Sequence, residues 1–296
     1  MALIGLVLAA APAAGETRFG PGYPDRPLQG PQAAKGAVIW NHGTTTYFAA
    51  KDSSLGAIPV FVTLLRDAGW DVYRLDRPPQ GEAIDASRDA LLAAIADLKG
   101  RGYRRIVLAG QSAGAWISLI VAGRTADVHA VIVNAPAYYG VDRPRYTMNA
   151  TALYDHLDAI KSGRVMVSYF AEDPFDPGGR GVRTDEILAR RGVAHLVIDQ
   201  PDGFLGHDSG NSGLFYRRFG PCVLAMAGEG PVPRRADCET TWGRQPSGEL
   251  ALPASGLATA AASPAVAPFL GAWWGTYTSG REVFLGVTRT EGDHVE

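Results

Sequence analysis

The sequence predicts an α/β protein with a mostly parallel central sheet that is covered by helices on both faces. From Lys35 onward, short apolar runs rich in β-branched residues alternate with longer amphipathic runs. This alternation is typical of parallel strands joined by helices. The length of 296 residues suits one large domain of this class and a small additional module. An apolar fraction of 46% excludes a wholly disordered chain.

The charge balance narrows the possible partners. The chain carries 28 Lys and Arg residues against 30 Asp and Glu residues, a formal net charge of −2. Because there is no basic excess to neutralise phosphates, we expect no nucleic-acid partner.

The N-terminal stretch 1–15 is apolar and carries no charge before Glu16. It is shorter than the roughly 20 residues that a membrane-spanning helix needs, so we predict no membrane span. Its length fits a secretory signal, and Ala11 and Ala13 resemble a cleavage site. We therefore expect a signal peptide at 1–15 and a secreted or periplasmic protein, exported as in bacteria. The alternative is a buried N-terminal segment.

The sequence contains two cysteines, Cys222 and Cys238. In an exported protein an isolated pair usually forms a disulfide. Closing a loop of this length would stabilise the fold by about 3 kcal/mol. The alternative is a pair of unrelated buried thiols, and two cysteines alone do not make a zinc site.

The first strong strand is predicted at 37–40, where four consecutive apolar residues indicate burial on both faces. The helix predicted at 59–68 ends at Gly69, and the helix predicted at 82–99 has an apolar stripe that Gly100 terminates. The same patterns predict further strands at 71–75, 105–109, 130–133, 164–170 and 195–198, and further helices at 113–122 and 184–191.

Two later segments break this alternation. Residues 137–162 lack a strong strand pattern, so we expect a cap or lid there. Residues 245–268 are rich in Pro, Ala, Ser and Gly, which is typical of a linker. The apolar runs within 269–296, on either side of Ser279-Gly280, predict a β-hairpin. Since a lone hairpin is only marginally stable, it either docks on the main domain at 20–244 or begins a larger β module that has been cut short.

The most informative motif is Gly-Gln-Ser-Ala-Gly at 110–114, which matches G-x-S-x-G between a predicted strand and a predicted helix. A sharp turn of this kind strains the serine backbone, and side chains at Gly110 or Gly114 would collide with neighbouring backbone. The helix that begins at Ala113 points its positive end at the turn. Ser112 is therefore the candidate nucleophile, and the alternative is a tight turn in which it only caps a helix.

A serine nucleophile needs a base that takes its proton. His207 lies in the loop after the last predicted strand, where it can reach over the end of the sheet, and we expect it to be this base. The alternative is a loop histidine that bonds only Asp208 or backbone. The remaining histidines are less suitably placed in the predicted elements: His42, His129, His156, His195 and His294.

The base needs an acid that orients it, and the segment after the predicted strand 164–170 offers carboxylates. Asp173 is the first choice because the order Ser, Asp, His then matches the order in hydrolases. Asp176 is the alternative acid. The carboxylates lack the regular spacing of a calcium loop, so we expect neither a metal nor an organic cofactor.

These motifs resemble the α/β-hydrolase superfamily, most closely its dienelactone-hydrolase-like and its esterase and acyl-peptidase branches. The resemblance covers 31–228. It is carried by Trp-Asn-His-Gly at 40–43, by the Ser112 motif, by the Asp-Pro-x-x-Pro segment at Asp173 and by the glycine-flanked His207. It implies an α/β-hydrolase domain at 20–244 with helices on both faces of its sheet.

The resemblance also implies an oxyanion hole, in which backbone N–H groups bind the negative charge that develops on the substrate. By similarity, Thr44 and Ala113 would provide these groups, each worth about 3 kcal/mol in the transition state. His42 and Gly43 would support the loop. The sequence departs from the family at 44–46, where three threonines replace the usual glycine-rich run, and at Ala171, where a glycine is usual.

Together these features predict a secreted serine hydrolase that cleaves a small carboxylic ester through an acyl-enzyme on Ser112. The alternatives are a peptidase or acyltransferase with the same three residues, and an exported binding protein that has lost activity. Five aromatic residues are candidates to line the substrate pocket, or else simply pack in the core: Tyr47, Phe48, Trp116, Tyr138 and Tyr139.

Overall fold

The computed structural model describes residues 17–44, 57–77, 83–240, 257–276 and 282–296. The side chains of 272–276 and 282–285 are not described. The expected signal peptide at 1–15 lies outside these ranges. Within them, no helix is both long enough and apolar enough to cross a bilayer.

The core of the molecule is a seven-stranded sheet with strand order β1-β3-β2-β4-β5-β6-β7. Strands β2 to β7 pair in parallel, and only the edge strand β1 is antiparallel to its neighbour β3. The strands are β1 (Arg18–Pro21), β2 (Ala37–Asn41), β3 (Asp71–Asp76), β4 (Ile106–Gln111), β5 (Ala130–Asn134), β6 (Arg164–Tyr169) and β7 (Ala194–Asp199). The predicted parallel sheet is therefore confirmed.

Helices cover both faces of this sheet, as the sequence predicts. They are α1 (Val60–Asp67), α2 (Ile84–Gly100), α3 (Ala113–Ala122), α4 (Arg143–Asp158), α5 (Arg180–Arg190), α6 (Gly213–Ala227) and the short α7 (Arg235–Cys238). Alternate strand residues point to opposite faces. Ile39 packs in the same core as Leu91 of α2, whereas Val38 packs with Phe61 of α1 and Phe215 of α6. Each central strand is thus buried on both sides, which explains its unbroken apolar run.

The segment at 137–162 is not a cap or lid. It contains α4, which connects β5 to the parallel strand β6 and buries Leu153 and Leu157 in the core. The apolar spacing typical of a helix is not recognisable in its mostly polar sequence, because few residues of this helix face the core. Asn149, Leu153 and Leu157 are its buried residues.

Strand β1 and helix α6 are among the elements that have no counterpart in the sequence prediction. Strand β1 is four residues long and contains Gly20 and Pro21, which the edge of a sheet tolerates because one side needs no ladder partner. Helix α6 contains Pro221 in its interior, a residue that normally ends a helix. The helix begins at a side-chain cap, where the Ser212 hydroxyl accepts a hydrogen bond from the Phe215 N–H at 3.2 Å.

Cys222 of α6 and Cys238 of α7 form a disulfide, as expected. Both residues are buried. The bond ties the chain after α6 back onto that helix, where Arg218 also pairs with Glu239 at 2.5 Å.

The C-terminal residues form the predicted hairpin, in which β8 (Ala272–Thr276) pairs antiparallel with β9 (Glu282–Gly286). Its Ser279-Gly280 turn lies outside the described residues. A second pair, β10 (Thr290–Glu291) and β11 (His294–Val295), follows. Part of the segment assigned to the linker belongs with this unit, because the Ala258 N–H donates to the Val287 carbonyl at 2.7 Å and the Ala262 N–H donates to the Thr290 hydroxyl at 3.0 Å. The domain boundaries themselves stay predictions.

Candidate active site

Ser112 lies at a sharp turn between strand β4, which ends at Gln111, and helix α3, which begins at Ala113. Its φ is 55° and its ψ is −123°, a conformation that non-glycine residues rarely adopt. Only 7% of the residue is exposed. The Ser112 carbonyl accepts from the Trp116 N–H at 3.0 Å, and the Ser112 N–H donates to the Asn134 carbonyl at 3.1 Å, so backbone contacts on both sides hold the strained turn.

The two glycines of the motif are required by close backbone approach. A Cβ at Gly110 would lie 2.7 Å from the backbone of Gly114 and Ala115, and a Cβ at Gly114 would overlap the carbonyl oxygens of Asn41 and His42. Helix α3 therefore starts directly against the end of β2.

His207 and Asp173 contact each other at the carboxyl end of the sheet. The Nδ1 atom of His207 lies 3.0 Å from Oδ1 and 2.9 Å from Oδ2 of Asp173. Asp173 is 5% exposed, and its Oδ1 also accepts from the Phe175 N–H at 2.8 Å. A carboxylate on Nδ1 places the proton there and leaves Nε2 as the basic nitrogen.

The loop that carries His207 is bound to the residues that flank Ser112. The Gln111 amide donates to the Asp208 carboxylate at 3.2 Å and to the His207 carbonyl at 3.4 Å. The Asn134 amide donates to the Gly210 carbonyl at 3.2 Å. These contacts bring the histidine loop and the serine turn, which are almost a hundred residues apart in the sequence, to one place.

The Nε2 atom of His207 is buried and has no hydrogen-bond partner among the described residues, the Ser112 hydroxyl included. In unliganded enzymes the hydrogen bond between nucleophile and base is often long and shortens when substrate binds. The Asp173–His207 pair thus lies in a loop that is bound next to the serine turn, and its basic nitrogen Nε2 accepts no hydrogen bond from the described residues.

Asp176 has a different partner. Its Oδ1 lies 3.4 Å from Nε of Arg180 and accepts from the Gly178 N–H at 2.9 Å, and both side chains are almost fully buried. Burial raises the pKa of Asp176, and the Arg180 charge opposes this rise. Of the two candidate acids, the structure therefore brings Asp173 to His207.

The candidate oxyanion loop lies against the serine turn. A Cβ at Gly43 would stand 3.2 Å from Cβ of Ser112 and 2.5 Å from the Gln111 side-chain oxygen. On the other side of the turn, Ala113 is the first residue of α3, where a backbone N–H has no acceptor within its own helix. Gly43, which precedes the expected donor Thr44, thus lies against Ser112, and the expected donor Ala113 follows Ser112 in the chain.

His42 is held as a neutral imidazole. Its Nδ1 donates to the Gly43 carbonyl at 2.5 Å, and its Nε2 accepts from the Arg77 N–H at 2.9 Å. Burial, and then the Arg77 charge, lowers the pKa of His42 to about 3. Because the C=O and N–H of a trans peptide point in opposite directions, fixing the Gly43 carbonyl on His42 directs the Thr44 N–H away from that imidazole.

The other histidines have structural contacts. His129 bonds the carbonyls of Ala227 and Gly228 at 3.1 and 3.0 Å, and His195 bonds the Val193 carbonyl at 2.6 Å. His156 packs edge-on against Trp116 with 5.1 Å between ring centroids. His294 lies in β11.

The aromatic candidates for the substrate pocket differ in exposure. Trp116 is fully buried within the core, whereas Tyr138 and Tyr139 are partly exposed. The loop of Tyr138 and Tyr139 is attached to α4, because the Asn149 side chain accepts from both of their N–H groups at 3.1 and 2.9 Å. Tyr47 and Phe48 lie outside the described residues.

Sequence reasoning missed four residues that support the site: Arg77, Gln111, Phe175 and Arg180. Arg77, Gln111 and Phe175 contact residues that are far from them in the sequence. Arg180 contacts Phe175 and Asp176 in the preceding irregular loop, for which no sequence motif is diagnostic. In the part of the chain that the structure describes, no group of three His, Cys, Asp or Glu residues could hold a metal ion.

Comparison with solved structures shows the fold. The chain is similar to a puromycin-hydrolyzing peptidase of Mycobacterium tuberculosis, with a TM-score of 0.51 and 15% identity over 74% of this chain and 38% of that one. The alignment thus spans little more than a third of the peptidase. Similarity is weaker to an esterase of Pyrococcus furiosus (TM-score 0.45, 13% identity, 61% of this chain and 77% of that one). A putative dienelactone hydrolase of Klebsiella pneumoniae gives a TM-score of 0.43 and 14% identity over 66% and 89%.

No family model and no curated protein sequence matches the chain. The sheet topology and the structural similarity show that it has the α/β-hydrolase fold. At this level of identity the fold carries no statement about the reaction.

Proposed function

We propose that the protein is a serine hydrolase that cleaves a carboxylic ester through an acyl-enzyme on Ser112. The observation that carries the proposal is the contact of the Asp173 carboxylate with Nδ1 of His207, in a loop bound to Gln111, which precedes Ser112, and to Asn134 of the neighbouring strand. An imidazole whose Nε2 is buried and unpartnered among the described residues, in a loop bound to Gln111 next to the strained serine, is suited to remove the serine proton.

The reaction proceeds in two steps. The Ser112 Oγ attacks the ester carbonyl carbon while Nε2 of His207 takes its proton, and Asp173 stabilises the resulting imidazolium. The N–H groups of Thr44 and Ala113 bind the oxyanion. The C–O bond to the alcohol then breaks, and the imidazolium returns the proton to the leaving oxygen. In the second step water, deprotonated by His207, attacks the acyl-enzyme and releases the acid and Ser112.

We also propose that the protein is exported to the periplasm or the medium. The apolar stretch at 1–15 fits a signal peptide, and the Cys222–Cys238 disulfide suits an oxidising compartment.

The test compares the wild type with Ser112→Ala on p-nitrophenyl acetate, butyrate and octanoate. We expect turnover by the wild type and a loss of about six orders of magnitude in kcat for the variant, since the nucleophile is gone. Equal hydrolysis by both proteins would contradict the proposal, and an inactive wild type would favour the binding-protein alternative. A matching p-nitroanilide measures whether amides are also cleaved.

A further inference from the structure

Arg180, at the start of α5, points back onto the loop that carries Asp173. Its side chain is 3% exposed. One terminal nitrogen donates to the Phe175 carbonyl at 2.6 Å, and Nε lies 3.4 Å from Oδ1 of Asp176. Gly178 and Gly179 precede it with φ values of 104° and 85°, which allow the chain to reverse direction between the loop and the helix.

The loop itself is closed by short-range hydrogen bonds. The Asp173 side chain accepts from the Phe175 N–H at 2.8 Å, and its carbonyl accepts from the Asp176 N–H at 3.0 Å. The backbone of Phe175 is therefore held at two points, by Asp173 through its N–H and by Arg180 through its carbonyl.

The ring of Phe175 contacts the imidazole of His207. The two ring centroids are 4.5 Å apart with an interplanar angle of 43°. His207 is thus held through Nδ1 by Asp173 and against one side of its ring by Phe175. A shift of Phe175 would free the imidazole to rotate about its contact with Asp173.

Arg180 also compensates a charge. The titratable groups that face Asp176 are Arg180, Asp173, Asp199, Tyr154 and Tyr169. Arg180 is the cation of this group, and it is paired with Asp176. Because the pair has almost no net charge, Arg180 does not neutralise Asp173. The negative charge of Asp173 can therefore stabilise the imidazolium of His207.

We propose that Arg180 is a positioning residue for His207, acting through the Phe175 carbonyl and through its charge pair with Asp176. This inference rests on the proposed serine-hydrolase function. Arg180 does not contact the reacting atoms, so its removal is expected to lower kcat while leaving KM nearly unchanged.

The decisive variant is Arg180→Met/Asp176→Asn, which removes both buried charges together and so avoids the destabilisation that a single unpaired buried ion causes. We expect it to fold and to lose about 10- to 100-fold in kcat on p-nitrophenyl acetate, because the Phe175 anchor is missing. KM is expected to change less than about twofold. Arg183→Met, which removes an exposed arginine of the same helix, is the control and should match the wild type.

Single variants distinguish two possible roles of the Arg180 side chain, which are anchoring the Phe175 carbonyl and filling space. Asp176→Asn keeps the anchor, so its maximal kcat should stay within a few-fold of the wild type. Arg180→Lys can still donate to the Phe175 carbonyl, so it should be faster than Arg180→Met. If Arg180 only fills space, the methionine variant should equal or exceed the lysine variant.

The inference is wrong if the folded double variant has the kcat of the wild type, or if Asp176→Asn alone loses as much kcat as the double variant. The proposed function fails separately, when the wild type itself shows no turnover and no reaction at Ser112.

Discussion

At the residue scale, the sequence left two carboxylates as candidates for the acid, and their partners His207 and Arg180 distinguish them. Asp173 and Asp176 both follow β6, both precede a proline and both are buried. Asp173 offers its oxygens to His207, whereas Asp176 faces Arg180. The order of residue types could predict that an acid follows this strand. It could not predict which one, because the choice depends on the direction in which Arg180 turns back after two glycines.

The neutral state of His42 makes a residue-scale prediction about stability and pH. The pKa of His42 is about 3 in the folded protein, against 6.5 for an ordinary histidine. The unfolded chain therefore binds a proton that the folded one does not. This contribution to stability is fully present above pH 6.5 and is lost as the pH falls from 6.5 towards 3, by up to about 1.4 kcal/mol per pH unit.

The measurement is urea unfolding of the wild type and His42→Gln between pH 7 and pH 4. Glutamine does not titrate and can still accept from the Arg77 N–H, so the variant should lose less stability over this range. Parallel curves for the two proteins would mean that His42 is not held neutral in the fold.

At the element scale, the strands were the best predicted parts and the polar or irregular elements the worst. The predicted helix 113–122 coincides with α3, and strands such as β2 and β5 differ from prediction by one residue. These elements are buried on all sides, so their apolar runs are unambiguous. Helix α4 was missed because its few core-facing residues are spread over a polar sequence, and α6 because its internal proline argues against a helix.

The close contact between α3 and the end of β2 predicts the effect of a single methyl group. Gly114→Ala should destabilise the protein by about 1–3 kcal/mol and lower kcat, since the new Cβ overlaps the carbonyls of Asn41 and His42 and displaces the candidate oxyanion loop. Gly100→Ala at the end of α2 is the matched control. Its Cβ meets no atom within 4 Å, so stability should stay equal or rise by about 0.5–1 kcal/mol. Urea unfolding and ester turnover measure both effects, and equal behaviour of the two variants would refute the packing argument.

At the scale of the whole molecule, the alternation of strands and helices was sufficient to predict the sheet and its two helical layers. It was not sufficient to predict the antiparallel edge strand β1, whose four residues carry no apolar pattern. The site was predictable to the extent that parallel strands end at one edge, where the Asp173–His207 contact lies and where Gln111, next to Ser112, bonds the histidine loop. The contacts of Gln111 and Phe175 with the histidine loop were not predictable, because they depend on how loops from different strands meet. Those of Arg180 were not predictable because they depend on the path of the irregular loop before α5.

The disulfide makes a prediction about global stability. Replacing both Cys222 and Cys238 with alanine should lower the free energy of unfolding by about 3 kcal/mol, because the unfolded chain regains the freedom of the closed loop. The wild type in the presence of a reducing agent should show a similar loss. Ester turnover under native conditions should be retained, since no contact links this pair to Ser112, His207 or Asp173 among the described residues. An unchanged unfolding midpoint in urea would mean that the bond does not constrain the chain.

The central claim is that Ser112 is activated by His207 at the end of the sheet. A fluorophosphonate reacts with an activated serine, and mass spectrometry of the digested protein identifies the residue that carries the adduct. We expect one adduct, on the peptide that contains Ser112, and its loss in His207→Ala. An adduct on another serine, or labelling of Ser112 at the same rate without His207, would contradict the account.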